Sequence, residues 1–139
     1  MNYLLDTCVI SELAKTRPNQ AVVDWVVAQD AARCFISSMT LGEIQKGISK
    51  LADSTRKADL RSWLARDVQE QFSGRIIAVS VLEALQWGDM QASAESSGKP
   101  MPVVDSLIAA TALLHGMTLV TRNTRDMEAS GVKLFNPWG

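Results

Sequence analysis

Short apolar runs alternate along this chain with longer segments whose apolar residues recur every third or fourth position. The runs are Tyr3-Leu4-Leu5, Cys34-Phe35-Ile36, Arg75-Ile76-Ile77-Ala78-Val79, Met117-Thr118-Leu119-Val120 and Val132-Lys133-Leu134-Phe135. Most lack a polar-apolar alternation, as strands covered on both faces do. Strands of that kind interleaved with helices specify an α/β fold. The expectation is a central, parallel sheet of about five short strands flanked by helices on both faces. The length, 139 residues, suits one domain over 1–139.

The helical segments carry their own signals. A strand ends near Asp6 and a helix follows; Pro18-Asn19 marks a turn, and a second helix runs from Gln20 to near Asp30. Leu41, Ile44, Ile48 and Leu51 form one helical stripe, with Thr40 as N-cap and Glu43 completing a capping box. Leu60, Trp63/Leu64, Val68 and Phe72 form another, hinged from the first near Asp53-Ser54. Ser80 can cap a helix carrying Leu82, Leu85, Trp87 and Met90, which fades into the loop 95–100. Asp105 opens a segment to Leu114 that is apolar nearly all round, so it should be buried. Gly116 ends it in the C′ position.

Composition excludes several classes. The apolar share is 47% and the charged share 21%, so a packed core is affordable and disorder is excluded. No apolar run reaches the roughly 18–20 residues of a membrane span. The start, Met1 to Asp6, lacks a basic region, so no secretory signal is expected and the location should be cytoplasmic. Cys8 and Cys34 belong to no CxxC or Cys/His cluster and read as buried, reduced thiols. The four tryptophans read as core or interface residues, and His115 as a cation at a helix C-terminus. The net charge is −1, so affinity for nucleic acid would need a local patch. Residues 46–75 hold seven basic against four acidic side chains, either a solvated helical face or such a patch.

In open α/β sheets, sites form beyond the carboxyl ends of the strands. Asp6, Glu43, Asp105, Asn123 and Asp126 all fall there. A single acid at a helix start is explained by the helix dipole, worth about 0.3–1 kcal/mol. Several acids on one edge repel each other, and a divalent cation resolves the conflict. Oxygen ligands without His or Cys point to Mg²⁺ or Mn²⁺. Such a cation activates water and offsets the charge of a phosphoryl transition state.

The blocks around these acids resemble those of PIN-domain ribonucleases, in particular VapC-type toxins of the FitB-like branch. Leu4 to Glu12 reads LLDTCVISE, Met39 to Gly47 reads MTLGEIQKG, and Asp105 to Ala112 reads DSLIAATA. Leu119 to Asn123 reads LVTRN, and the chain closes on Phe135-Asn136-Pro137-Trp138. The five blocks keep the family's order over the whole chain.

The resemblance implies a metal-dependent endoribonuclease acting on RNA, the toxin half of a toxin–antitoxin pair. It would be active as a homodimer and paired with a VapB-type antitoxin seated on the helices around residues 40–70. The family's catalytic acids fall on Asp6, Glu43 and Asp105, with Asp6 and Asp105 as the main ligands of Mg²⁺ or Mn²⁺. The fourth position falls on Asn123, an amide where many relatives carry Asp. Asp126 could supply the missing charge, although a solvated loop acid is the commoner case. Cys8 stands where the family has Asn, and a thiol is only a weak donor. The hydroxyls Thr7, Ser11 and Thr121 would edge the site. Two rivals remain. One is a catalytically inactive PIN-like binding module. The other is a dehalogenase-type phosphatase, which needs a second Asp two residues after the first, where this chain has Cys8.

Overall fold

The computed structural model describes residues 1–139. Five strands form one sheet: β1 (Tyr3–Leu5), β2 (Cys34–Ser37), β3 (Ile76–Ile77), β4 (Thr118–Val120) and β5 (Leu134–Phe135). Their spatial order is β3-β2-β1-β4-β5, and every pairing is parallel. The expected α/β architecture is therefore present. β1 lies at the centre, with Leu4 opposite both Phe35 and Leu119. All carboxyl ends face one edge. The third strand is shorter than its apolar run, because only Ile76 and Ile77 find partners on β2.

Successive residues of a strand point to opposite faces, and each face has its own core. Leu4 and Leu119 join one cluster with Met90, Ile108, Ala109 and Met127. Leu5 and Val120 join the other with Val9, Ile36, Ile44 and Val68. The first face is covered by α6 (Val81–Ser96), α7 (Val103–Leu114) and the short α8 (Thr124–Met127). The second is covered by α1 (Thr7–Leu13), α2 (Gln20–Ala28) and α3 (Ser38–Ser49), followed by α4 (Thr55–Ser62) and α5 (Gln69–Gln71). α7 is the buried helix that its sequence demands, with Ile108, Ala109, Ala110 and Ala112 fully enclosed. It begins two residues before Asp105, which sits in its first turn. Gly116 follows its C-cap at φ +65°, a left-handed geometry that favours glycine.

Three details depart from the sequence expectation. First, α3 is capped by Ser37, whose hydroxyl accepts the Met39 N–H at 3.1 Å. Thr40 lies buried inside the helix, and Glu43 is well past the first turn, so they form no capping box. Second, α4 and α5 are joined by a π-helical stretch, Trp63–Val68. Leu60, Leu64, Val68 and Phe72 recur at intervals of four, which drift around a 3.6-residue helix; wider turns hold Leu64, Val68 and Phe72 against one core. Third, Leu82 and Leu85 are exposed, so α6 turns Met90 and Ala94 inward and leaves these leucines outside. The Ser80 cap itself forms as read: the Glu83 carboxylate accepts the Ser80 N–H at 2.8 Å and also bonds the Ser80 hydroxyl. His115 reaches this cap, its Nε2 2.9 Å from Glu83 Oε2. No helix is long and apolar enough to cross a membrane.

Candidate active site

Asp6 ends β1 and caps α1, which places a carboxylate at the centre of the sheet's carboxyl edge. It is only 2% exposed. Its Oδ1 accepts the Thr7 N–H at 2.8 Å, and its Oδ2 accepts the Thr121 hydroxyl at 2.7 Å. Thr121 immediately follows β4, so one hydrogen bond ties the ends of the two central parallel strands together. No cation pairs with Asp6. Burial raises its pKa, and the bonds from Thr121, Thr7 and Cys8 pull the other way.

Glu43 reaches the site from α3. Its Oε1 accepts the Thr7 hydroxyl at 2.5 Å, and Thr7 also lies 3.3 Å from the Thr40 hydroxyl. Thr7 therefore bonds Asp6 through its backbone and Glu43 through its side chain. Asp105 comes from the first turn of α7, on the other side of the sheet. Its pKa is pushed up to about 6, first by burial and then by the charges of Asp6, Glu43 and Asp126. The charges of the other three carboxylates thus all bear on Asp105. Elements separated by about a hundred residues of sequence converge here because all strands are parallel.

Asn123 and Asp126, the two candidates for the fourth position, both lie just after β4. Asn123 precedes α8 and donates its backbone N–H to Thr121 Oγ1 at 3.0 Å; its side chain makes no cap bond. Asp126, in the first turn of α8, is the one whose charge bears on Asp105. A solvated loop acid is the commoner case for such a residue, and Asp126 is indeed exposed. Its charge still reaches Asp105, the alternative that the sequence left open.

Cys8 is half-buried at the site and is no core thiol, unlike Cys34. Its Sγ lies 3.7 Å from Asp6 Oδ2 and 3.7 Å from Thr121 Oγ1, and it accepts the Arg122 N–H at 3.5 Å. The thiol thus takes part in ordering the loop around Asp6, with long, weak bonds. Burial and the neighbouring Asp6 charge push its pKa up, so it stays a thiol. Ser11 is exposed and lines an adjoining cleft of about 240 Å³ with Thr7, Glu43, Ile44 and Trp63.

The donor set is oxygen-only, acidic and without a cationic partner, which suits a hard divalent cation. The fit lies in charge and ligand type; no three of these side chains already stand in coordinating geometry. The basic stretch 46–75 is partly committed to the fold. Arg56 bonds the Ala14 carbonyl, Lys57 those of Ser49 and Leu51, and Arg75 those of Ala31, Cys34 and Gln71.

The family model for the PIN domain matches residues 3–130. The chain belongs to the PIN-domain family. Among PIN-domain relatives it is 35% identical over 135 residues to VapC ribonuclease Y4jK of Sinorhizobium fredii, covering 97% of this chain and 96% of that one. It is 34% identical to toxin FitB of Neisseria gonorrhoeae, again over 97% of each chain. The crystal structure of FitAcB from Neisseria gonorrhoeae superposes with a TM-score of 0.92, covering 98% of both chains. A toxin–antitoxin complex from Klebsiella pneumoniae matches at a TM-score of 0.70 and 25% identity, over 98% of both chains.

Proposed function

We propose that this PIN domain is an endoribonuclease that hydrolyses RNA phosphodiester bonds with Mg²⁺ or Mn²⁺, and is the toxin of a VapBC-type pair. The observation that carries the reading is the carboxylate pocket. Asp6, Glu43 and Asp105 gather with no cationic partner, and burial first, then the charges of Asp6, Glu43 and Asp126, push the Asp105 pKa up to about 6. The names of the relatives, ribonuclease and toxin, support the same activity and do not favour an inactive module. Asp6 and Asp105 are the proposed metal ligands, with Glu43 completing the acidic pocket and Asp126 adding to its field. Asn123 keeps a secondary place through its backbone bond to Thr121.

When bound, the cation supplies a polarised water and offsets charge on the phosphoryl group. The protein's residues supply order. Thr121 and the Thr7 N–H fix both oxygens of Asp6, and the Thr7 hydroxyl fixes Glu43. With its pKa at about 6, the Asp105 carboxyl can hold or release a proton at little cost when no cation is present.

The antitoxin partner follows from the family and from the Klebsiella complex. The cleft beside Thr7 and Glu43 combines the apolar Ile44, Ile48, Leu60 and Trp63 with Lys15 and Arg56. A partner segment lying in it would end at the carboxylates. A homodimer and a cytoplasmic location belong to the same proposal.

The test is cleavage of a total tRNA and ribosomal RNA pool by antitoxin-free protein. Discrete fragments with Mg²⁺ or Mn²⁺, absent with EDTA, are expected. A folded protein that cuts no RNA under either metal overturns the reading.

A further inference from the structure

Arg122 sits one residue beyond Thr121, the side chain that holds Asp6. Its backbone is pinned to the site, since its N–H donates to Cys8 Sγ. Its guanidinium makes no ion pair and no hydrogen bond to protein, despite the acidic pocket beside it. It lies instead over the Trp138 ring, 5.5 Å from the centroid. Trp138 is itself moored: it packs against the core under α1, its N–H donates to Asn136 Oδ1 at 2.8 Å, and its side chain helps lower the pKa of the buried Glu12.

The contrast with Arg75 and Arg56 is informative. Those guanidiniums spend donors on main-chain carbonyls. A ring face holds the Arg122 guanidinium by its π-cloud and leaves the edge N–H donors free. The side chain is restrained while its hydrogen bonds stay unspent, and a planar fork of that kind suits a phosphate. The Arg122 side chain is exposed, so it stands at the rim of the pocket. RNA approaching a cluster of carboxylates on a chain of net charge −1 needs such a cation.

We propose that Arg122, positioned by Trp138, binds a backbone phosphate of the RNA strand flanking the scissile bond. The proposal rests on the nuclease reading. The contact is to the backbone, so it is indifferent to base sequence.

The experiment pairs anisotropy of a labelled single-stranded RNA in EDTA, at several salt concentrations, with steady-state cleavage in Mg²⁺. Arg122→Ala should raise Kd and KM about three- to tenfold on two unrelated RNA sequences, with kcat at saturation within about twofold. The salt slope should fall by about 0.7, the value for one phosphate contact on a single strand. Arg122→Lys should keep the slope and recover part of the affinity. Trp138→Leu should weaken binding with the slope unchanged, because the charge remains. Arg122→Gln, with a thermal melt for each variant, serves if the alanine variant is unstable. An unchanged Kd and slope, or a fall in kcat at constant Kd, overturns the proposal. Wild-type protein that binds RNA without cutting it would sink the nuclease reading alone, since the anisotropy arm still reads Arg122.

Discussion

Removing the charge of Asp105 should stabilise the cation-free protein. The folded-state pKa is about 6 against an ordinary value of 3.8. At about 1.4 kcal/mol per unit, the whole difference corresponds to about 3 kcal/mol. Asp105 is partly exposed, and solvent screening reduces this to about 1–2 kcal/mol. The carboxylate also gains roughly 0.5 kcal/mol from the N-terminal dipole of α7, which an amide forgoes. Asp105→Asn should therefore gain about 1 kcal/mol at about pH 7.5. A raised carboxyl pKa means that the fold prefers the protonated form. The penalty is absent below 3.8, grows as pH climbs through about 6, and is complete above it. The advantage of Asn should accordingly vanish near about pH 3.5. Saturating Mg²⁺ should remove or reverse it, because the wild-type carboxylate then has a partner. Urea unfolding followed by tryptophan fluorescence in EDTA measures all three. A variant that is less stable than wild type by the same amount at both pH values would show that Asp105 is an ordinary helix-start acid.

Four further outcomes follow from the structure. Thr121→Val removes the hydroxyl that holds Asp6 Oδ2, and cleavage kinetics should show kcat down about tenfold with stability lowered by only about 1–2 kcal/mol. Cys8→Asn should retain activity in the same assay, since an amide can serve Asp6 and the Arg122 N–H at least as well as the thiol does. Ser80→Ala should cost about 1 kcal/mol in urea unfolding through loss of the cap. Glu83 has its pKa lowered to about 2, so its contribution is present above 4.5 and fades as pH falls towards 2; acid titration of Glu83→Gln should lack that component.

Asp6 was legible because it closes an apolar run, and a parallel sheet sends all such ends to one edge; Asp105 was legible because it opens an apolar helix. The cap at Ser80 was legible because a short hydroxyl stands just before a helical stripe; its partner Glu83, which completes a capping box, was not read. The box at Thr40 and Glu43 matched the same pattern and failed. Ser37, one of two adjacent serines, starts the helix earlier, and Glu43 finds its bond on Thr7, 36 residues away. Leu82 and Leu85 kept a helical spacing, but spacing alone does not say which stripe of α6 meets α7. The place of Cys8 depends on the loop after β4, more than a hundred positions away. Local patterns carry no information on such contacts.

The central claim is that the carboxylates gathered at the sheet edge bind the cation that RNA cleavage requires. The most direct measurement is Mn²⁺ binding followed alongside RNA cleavage in wild type, Asp6→Asn and Asp105→Asn, each checked for folding. The account predicts that both variants lose Mn²⁺ affinity and cleavage together. Cleavage that survives in either folded variant, or Mn²⁺ affinity equal to wild type in both, would contradict it.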